Sequence, residues 1–108
     1  MNDKFGLKES DLENIISILQ QQPEVEEAII FGSRAKGNFR IGSDVDIAVK
    51  GSLLNFKLIS RLSFLLNEET LMPYHFDLLN YNTVSNKNLI SHIDRMGIPF
   101  YTKMKVLI

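Results

Sequence analysis

Apolar residues fall in short blocks along the chain, and the spacing within each block predicts alternating helices and strands. Leu12, Ile15, Ile16 and Leu19 recur on one helical face, Ser10 and Glu13 stand at capping-box spacing ahead of them, and Pro23 ends the segment. Glu27–Phe31 is a short apolar run stopped by Gly32, as in a buried strand. The stretch Gly32–Ser43 is rich in Gly, Ser and basic residues and reads as a loop, with one helical turn beginning at Ser33. Asp44–Val49 alternates polar and apolar positions, which predicts a second strand closed by Gly51. Leu58, Leu62, Leu65 and Leu66 lie at helical spacing within Leu54–Leu66, Pro73 breaks the chain, and Tyr74–Leu79 follows as a third strand. Leu89, Ile93 and Met96 mark a last helix, ended by Gly97 before a short Ile98–Tyr101 segment. The order α-β-turn-β-α-β-α favours an α/β domain with helices packed on a small sheet. No linker, repeat or low-complexity tract interrupts it, so residues 1–108 are expected to form a single domain.

Some polar positions in this pattern are not explained by core packing. In a strand, residues i and i+2 point to the same side, so Asp44 and Asp46 stand together while Val45, Ile47 and Val49 face the core. Two adjacent carboxylates repel, and no Lys or Arg flanks them in sequence. A divalent cation resolves the conflict, and Mg²⁺ suits a small carboxylate set completed by water and phosphates. Ten residues earlier, Gly32 and Ser33 offer a tight turn, a hydroxyl and backbone N–H groups for phosphate, with Arg34 and Lys36 in the same loop to neutralise charge and Ser43 beside the aspartates. Two-metal displacement also needs a third carboxylate. Asp77, set mid-strand between Phe76 and Leu78, supplies it if its strand pairs beside the Asp44–Asp46 strand.

Composition narrows the chemistry. With 12 Lys+Arg against 13 Asp+Glu the formal net charge is -1, which argues against bulk nucleic acid as ligand but leaves room for a small anionic nucleotide. The absence of cysteine removes disulfides, thiolate zinc sites and cysteine nucleophiles. No apolar h-region opens the chain and no run approaches a membrane span, so a cytoplasmic location without membrane contact is expected. At 108 residues the core is modest. The site is therefore expected to be an open cleft or one completed by a partner, with an oligomer as one route.

Gly32-Ser33-Arg34-Ala35-Lys36-Gly37 followed by Ser43-Asp44-Val45-Asp46-Ile47-Ala48 resembles the signature of the DNA polymerase β-type nucleotidyltransferase superfamily. The length resembles its minimal branch, the MNT proteins, and the likeness covers roughly Val25 to Tyr101. It implies a small mixed sheet with helices packed on it, two Mg²⁺ ions held by Asp44, Asp46 and Asp77, and NTP phosphates held by Gly32 and Ser33. It further implies pairing with a HEPN-domain toxin, for which the chain would be the antitoxin, through transfer of AMP from ATP to a tyrosine of that toxin. From average residue usage, a chance match to Gly-Ser-(ten)-Asp-x-Asp is on the order of one in a thousand.

Plainer readings stand beside these. Gly32 to Gly37 begins like a P-loop, but Asn38 and Phe39 replace its Lys and Ser/Thr. Asp44-Val45-Asp46 begins like a calcium loop, but Ala48 and Lys50 fill ligand positions. Ser33 reads alternatively as a helix cap, which does not exclude phosphate binding, while Ser43 reads equally as a turn cap and Arg34 and Lys36 equally as solvated loop charges. Asp77 reads alternatively as half of an ion pair. His75 shares Asp77's face, which would set it near the site, but reads first as a surface or packed residue; His92 reads as an exposed helical residue, and Tyr74, Tyr81 and Tyr101 as core-edge or interface aromatics. Two other functions are compatible with the residues: a module that neutralises a toxin by contact alone, and transfer to a small molecule.

Overall fold

The computed structural model describes residues 4–103. Helix α1 (Glu9–Gln20) is followed by strand β1 (Glu27–Phe31), the single-turn helix α2 (Ser33–Lys36) and strand β2 (Val45–Lys50). Helix α3 (Phe56–Glu68) leads to strand β3 (Phe76–Asn80), a 3₁₀ turn over Tyr81–Thr83, helix α4 (Lys87–Met96) and strand β4 (Ile98–Thr102). The strands form one four-stranded sheet in the order β3-β2-β1-β4. β1 runs antiparallel to both β2 and β4, whereas β2 and β3 are parallel and joined through α3. The expected mixed sheet with packed helices is thus the observed one, and the Ile98–Tyr101 segment is its fourth strand.

Strand alternation divides the sheet residues between two cores. Ala28, Ile30, Val45, Ile47, Val49 and Phe76 pack with Ile15 and Leu19 of α1 and Leu62 and Leu66 of α3. On the opposite side, Ile29, Phe31 and Ala48 pack with Ile93 of α4. Of the leucine stripe of α3, Leu62 and Leu66 are core while Leu58 and Leu65 are only half-buried, and Asn55 caps that helix by accepting from the Leu58 N–H at 2.9 Å. From α3, Asn67 donates to the Phe76 carbonyl (2.9 Å) and accepts from the Phe76 N–H (2.8 Å), covering the outer edge of β3 where a strand partner would bind.

The start of α1 differs from the sequence reading for a physical reason, whereas α4 ends at Gly97 as expected. The Ser10 capping box does not form: α1 starts at Glu9, and its N-cap, Lys8, is extended with no side-chain cap. Leu7, 1% exposed, anchors the chain in the core after a turn through Phe5 and Gly6, and that fixes where the helix can begin. Gly97 ends α4 without a left-handed backbone; it is needed because a Cβ there would collide with the Ile93 carbonyl and press on Ile29.

Candidate active site

Register brings the acidic residues together. Asp46 pairs directly with Asp77 across the parallel β2–β3 ladder, and Phe31 pairs with Asp46 on the other side. The row Phe31–Asp46–Asp77 therefore crosses three strands on the α4 side of the sheet, with Phe31 at its α4-covered end. Asp44 lies one residue ahead of β2 and two before Asp46, so it joins the same side. Burial is graded along the row: Phe31 is buried, Asp46 half-buried and Asp77 exposed. Asp77 is therefore not a charge buried in a strand; what makes it notable is its registry with Asp46.

Like charges crowd here. Burial first, then the charges of Asp77 and Asp44, push the Asp46 carboxyl above the usual carboxylate range, while Arg34 and His75 oppose the shift. Among the described residues, the only group in ion-pair range of the three aspartates is His75, whose Nδ1 is 3.4 Å from Asp44 Oδ1. No cage of three or more metal-ligating side chains is preformed among the described residues. The donor set fits a cation that arrives with phosphate oxygens and takes one or two carboxylates from the protein, which is the habit of Mg²⁺.

The turn after β1 meets this carboxylate row. Gly32 has φ 77° and ψ -154°, a conformation essentially restricted to glycine, and an added Cβ would collide with Asp46 Oδ2. Backbone and carboxylate are thus in contact. Ser33 does not cap α2; Gly32 is the N-cap, and Ser33 opens the helix half-buried.

The other candidates separate from this group. Arg34 is 4% exposed, and its guanidinium donates from Nε (3.2 Å) and Nη2 (2.9 Å) to the Ser43 carbonyl and from Nη1 (2.8 Å) to the Phe5 carbonyl. It sits against the rings of Phe39 (5.2 Å) and Tyr74 (5.4 Å). Its geometry is that of a buried tie between the N-terminal turn, α2 and the residue before Asp44, not of a free phosphate ligand. The Ser43 hydroxyl is engaged in the same loop, accepting from the Arg40 N–H at 2.8 Å. Lys36 is exposed at the end of α2, and nothing ties it to the aspartates.

Two histidines belong to the site's surroundings. His75 is exposed but beside Asp44. His92 is half-buried, and its Nε2 accepts the Gly32 N–H at 3.2 Å. Its spacing of three from Leu89, on the apolar stripe of α4, was the available signal. Among the described residues, a groove of about 460 Å³ between α3 and β3 includes His75 but none of the three aspartates, of which Asp44 and Asp77 stand exposed.

Residues 13–105 match the family described as "Polymerase beta, Nucleotidyltransferase". The chain belongs to that family. Among solved structures, this nucleotidyltransferase chain resembles one from a toxin–antitoxin complex with AMP-PNP (TM-score 0.72, 23% identity, covering 85% of this chain and 73% of that one). It also resembles a chain of the MntA–HepT toxin–antitoxin (TM-score 0.67, 20% identity, 89% and 74% covered). A third neighbour comes from a tri-AMPylated Shewanella oneidensis HEPN toxin in complex with its MNT antitoxin (TM-score 0.66, 21% identity, 87% and 71% covered). No curated protein sequence matches. At these identities the structural neighbours establish the fold. Among the described residues, no helix is long and apolar enough to cross a membrane.

Proposed function

We propose that this nucleotidyltransferase transfers AMP from ATP to a tyrosine hydroxyl of a cognate HEPN-domain toxin and acts as its antitoxin. The observation that carries the reading is the direct registry of Asp46 with Asp77, with Asp44 alongside and the Gly32 turn against Asp46. In this reading Gly32 and Ser33 hold the triphosphate, and Asp44, Asp46 and Asp77 hold two Mg²⁺ ions. Bound Mg²⁺ supplies neutralisation of phosphoryl charge and orientation of the attacking oxygen. The chain's own work is positioning: the turn holds the phosphates at a fixed distance from the carboxylates. Asp77, outermost in the row and on the edge strand, faces the side from which an acceptor approaches. Adenine and a HEPN partner are drawn from the neighbours, an AMP-PNP complex and a HEPN toxin carrying AMP groups beside an MNT antitoxin, and the tyrosine from the family resemblance.

The test is intact-mass analysis of the native co-purifying partner after incubation with this protein, Mg²⁺ and each NTP, beside an Asp77→Asn control. A gain of one or more AMP units that depends on Asp77 supports the reading. A stable complex with no mass gain under any NTP replaces it with neutralisation by contact alone.

A further inference from the structure

We infer that His92 is a positioning residue for nucleotide binding, holding the Gly32–Ser33 turn at its working distance from Asp46. The inference rests on the functional reading above, which makes that turn the phosphate holder. Phe31 is the last residue of β1 with a ladder partner, so Gly32 leaves the sheet with its N–H no longer provided for by a neighbouring strand. The Gly32 carbonyl accepts from the Lys36 N–H at 3.1 Å, and the Gly32 N–H donates to His92 Nε2 at 3.2 Å. Both polar groups of this residue are therefore committed, one to α2 and one to α4, sixty residues away in sequence.

The imidazole is well placed to do this. Accepting at Nε2 requires the neutral ring with its proton on Nδ1. The ring stands edge-on to Phe31, with centroids 6.1 Å apart and planes at 75°. Its neighbour Ile93, 1% exposed, seats α4 against Ile29, Phe31 and Ala48. The Gly32 Cα is already in contact with the Asp46 carboxylate, so any swing of the turn changes the spacing between phosphate and carboxylates. A misplacement of about 1 Å in such a site is enough to lower turnover by about a hundredfold.

The experiment compares His92→Leu, which keeps apolar contact with Phe31 but has no acceptor, with His92→Gln, whose amide oxygen reaches near the Nε2 position. Affinity for AMP-PNP with Mg²⁺ is measured by calorimetry at a temperature where each variant is folded, together with KM and kcat for transfer. Loss of one hydrogen bond to the turn is expected to weaken binding in the Leu variant about three- to tenfold, with KM raised and the Gln variant recovering most of the loss. Should the Leu variant fail to fold, His92→Asn, whose shorter amide stops short of Gly32, takes its place. A lower melting temperature with unchanged nucleotide affinity overturns the inference, because a merely structural histidine gives that result. Equal weakening in the Gln variant overturns it as well, since an acceptor would then not be what matters. Wild-type protein that binds no nucleotide refutes the functional reading, and this inference falls with it.

Discussion

Asp46→Asn should make the protein more stable in the absence of metal while destroying its activity. The substitution keeps the shape of the side chain and removes the middle charge of three. Adjacent strands lie about 4.8 Å apart, so the registered Asp46 and Asp77 side chains start about that far apart. Two unit charges at about 5 Å interact by about 1 kcal/mol in water and about 3 kcal/mol at an effective dielectric of 20. Asp77 is exposed and Asp44 largely so, and screening brings the combined relief down to about 1 kcal/mol. For a domain of 108 residues that is a rise of about 4 °C in melting temperature. The pH dependence has a definite sign. Because the Asp46 carboxyl is raised in the folded chain, the folded state holds its proton more tightly than the unfolded state does. This group's contribution to stability is therefore greatest below the ordinary carboxylate value and is lost as pH rises through the window up to the raised value. The Asn variant lacks that loss. Calorimetric melting in EDTA at low salt, from pH 4 to 8 (roughly the carboxylate range upward), measures both effects. A variant that melts at or below wild type at neutral pH would refute the argument that charge crowding strains this row. A gain from Mg²⁺ and AMP-PNP as large in the variant as in the wild type would instead remove Asp46 from the metal site, since loss of a metal-binding carboxylate should weaken that linkage.

Three further outcomes are expected. Asp77→Asn should lower transfer at least about a hundredfold by single-turnover assay, yet shift stability by no more than about 0.5 kcal/mol because the side chain is exposed; unchanged turnover would remove Asp77 from the site. Ser33→Ala should weaken NTP affinity about three- to tenfold by calorimetry with little change in melting, and equal affinity would count against the phosphate-holding role. Arg34→Leu should destabilise by about 3 kcal/mol in urea unfolding, because it leaves the Ser43 and Phe5 carbonyls without their donor, and Arg34→Lys should recover less than half since one ammonium cannot span both. A mild Arg34→Leu phenotype, with only nucleotide binding impaired, would restore Arg34 as a phosphate ligand.

What the sequence makes legible is local. The strand Glu27–Phe31 and the turn at Ser33 are signalled by residues within a few positions of each other, and they stand where the pattern puts them. The carboxylate pair Asp44 and Asp46 needs only the twofold alternation of an extended chain. Asp77 was recognisable as a candidate, but its registry with Asp46 depends on a parallel crossover through α3, which no local spacing encodes. Arg34 shows the opposite difficulty. A cation in a Gly/Ser loop suggests phosphate, whereas its partners here, Phe5, Phe39, Ser43 and Tyr74, come from separate stretches whose convergence is a tertiary fact. His92 is hidden for the same reason: its hydrogen bond spans sixty residues.

The way burial changes along Phe31, Asp46 and Asp77 connects the fold to the kind of acceptor the site can use. α4 covers Ile29, Phe31 and Ala48 and leaves the end of the row uncovered, so Asp46 is dehydrated enough to want a cation while Asp77 remains in solvent. With Asp44 and Asp77 both exposed, a free small molecule held at them meets few walls, and little of it would be buried. A folded partner supplies its own walls and can hold one hydroxyl against the open edge at Asp77. The exposure of Asp77 therefore suits the proposed protein acceptor better than a small one. It also predicts that affinity for the acceptor resides in surface outside the row of aspartates, where substitutions should alter KM for the partner and leave nucleotide affinity unchanged.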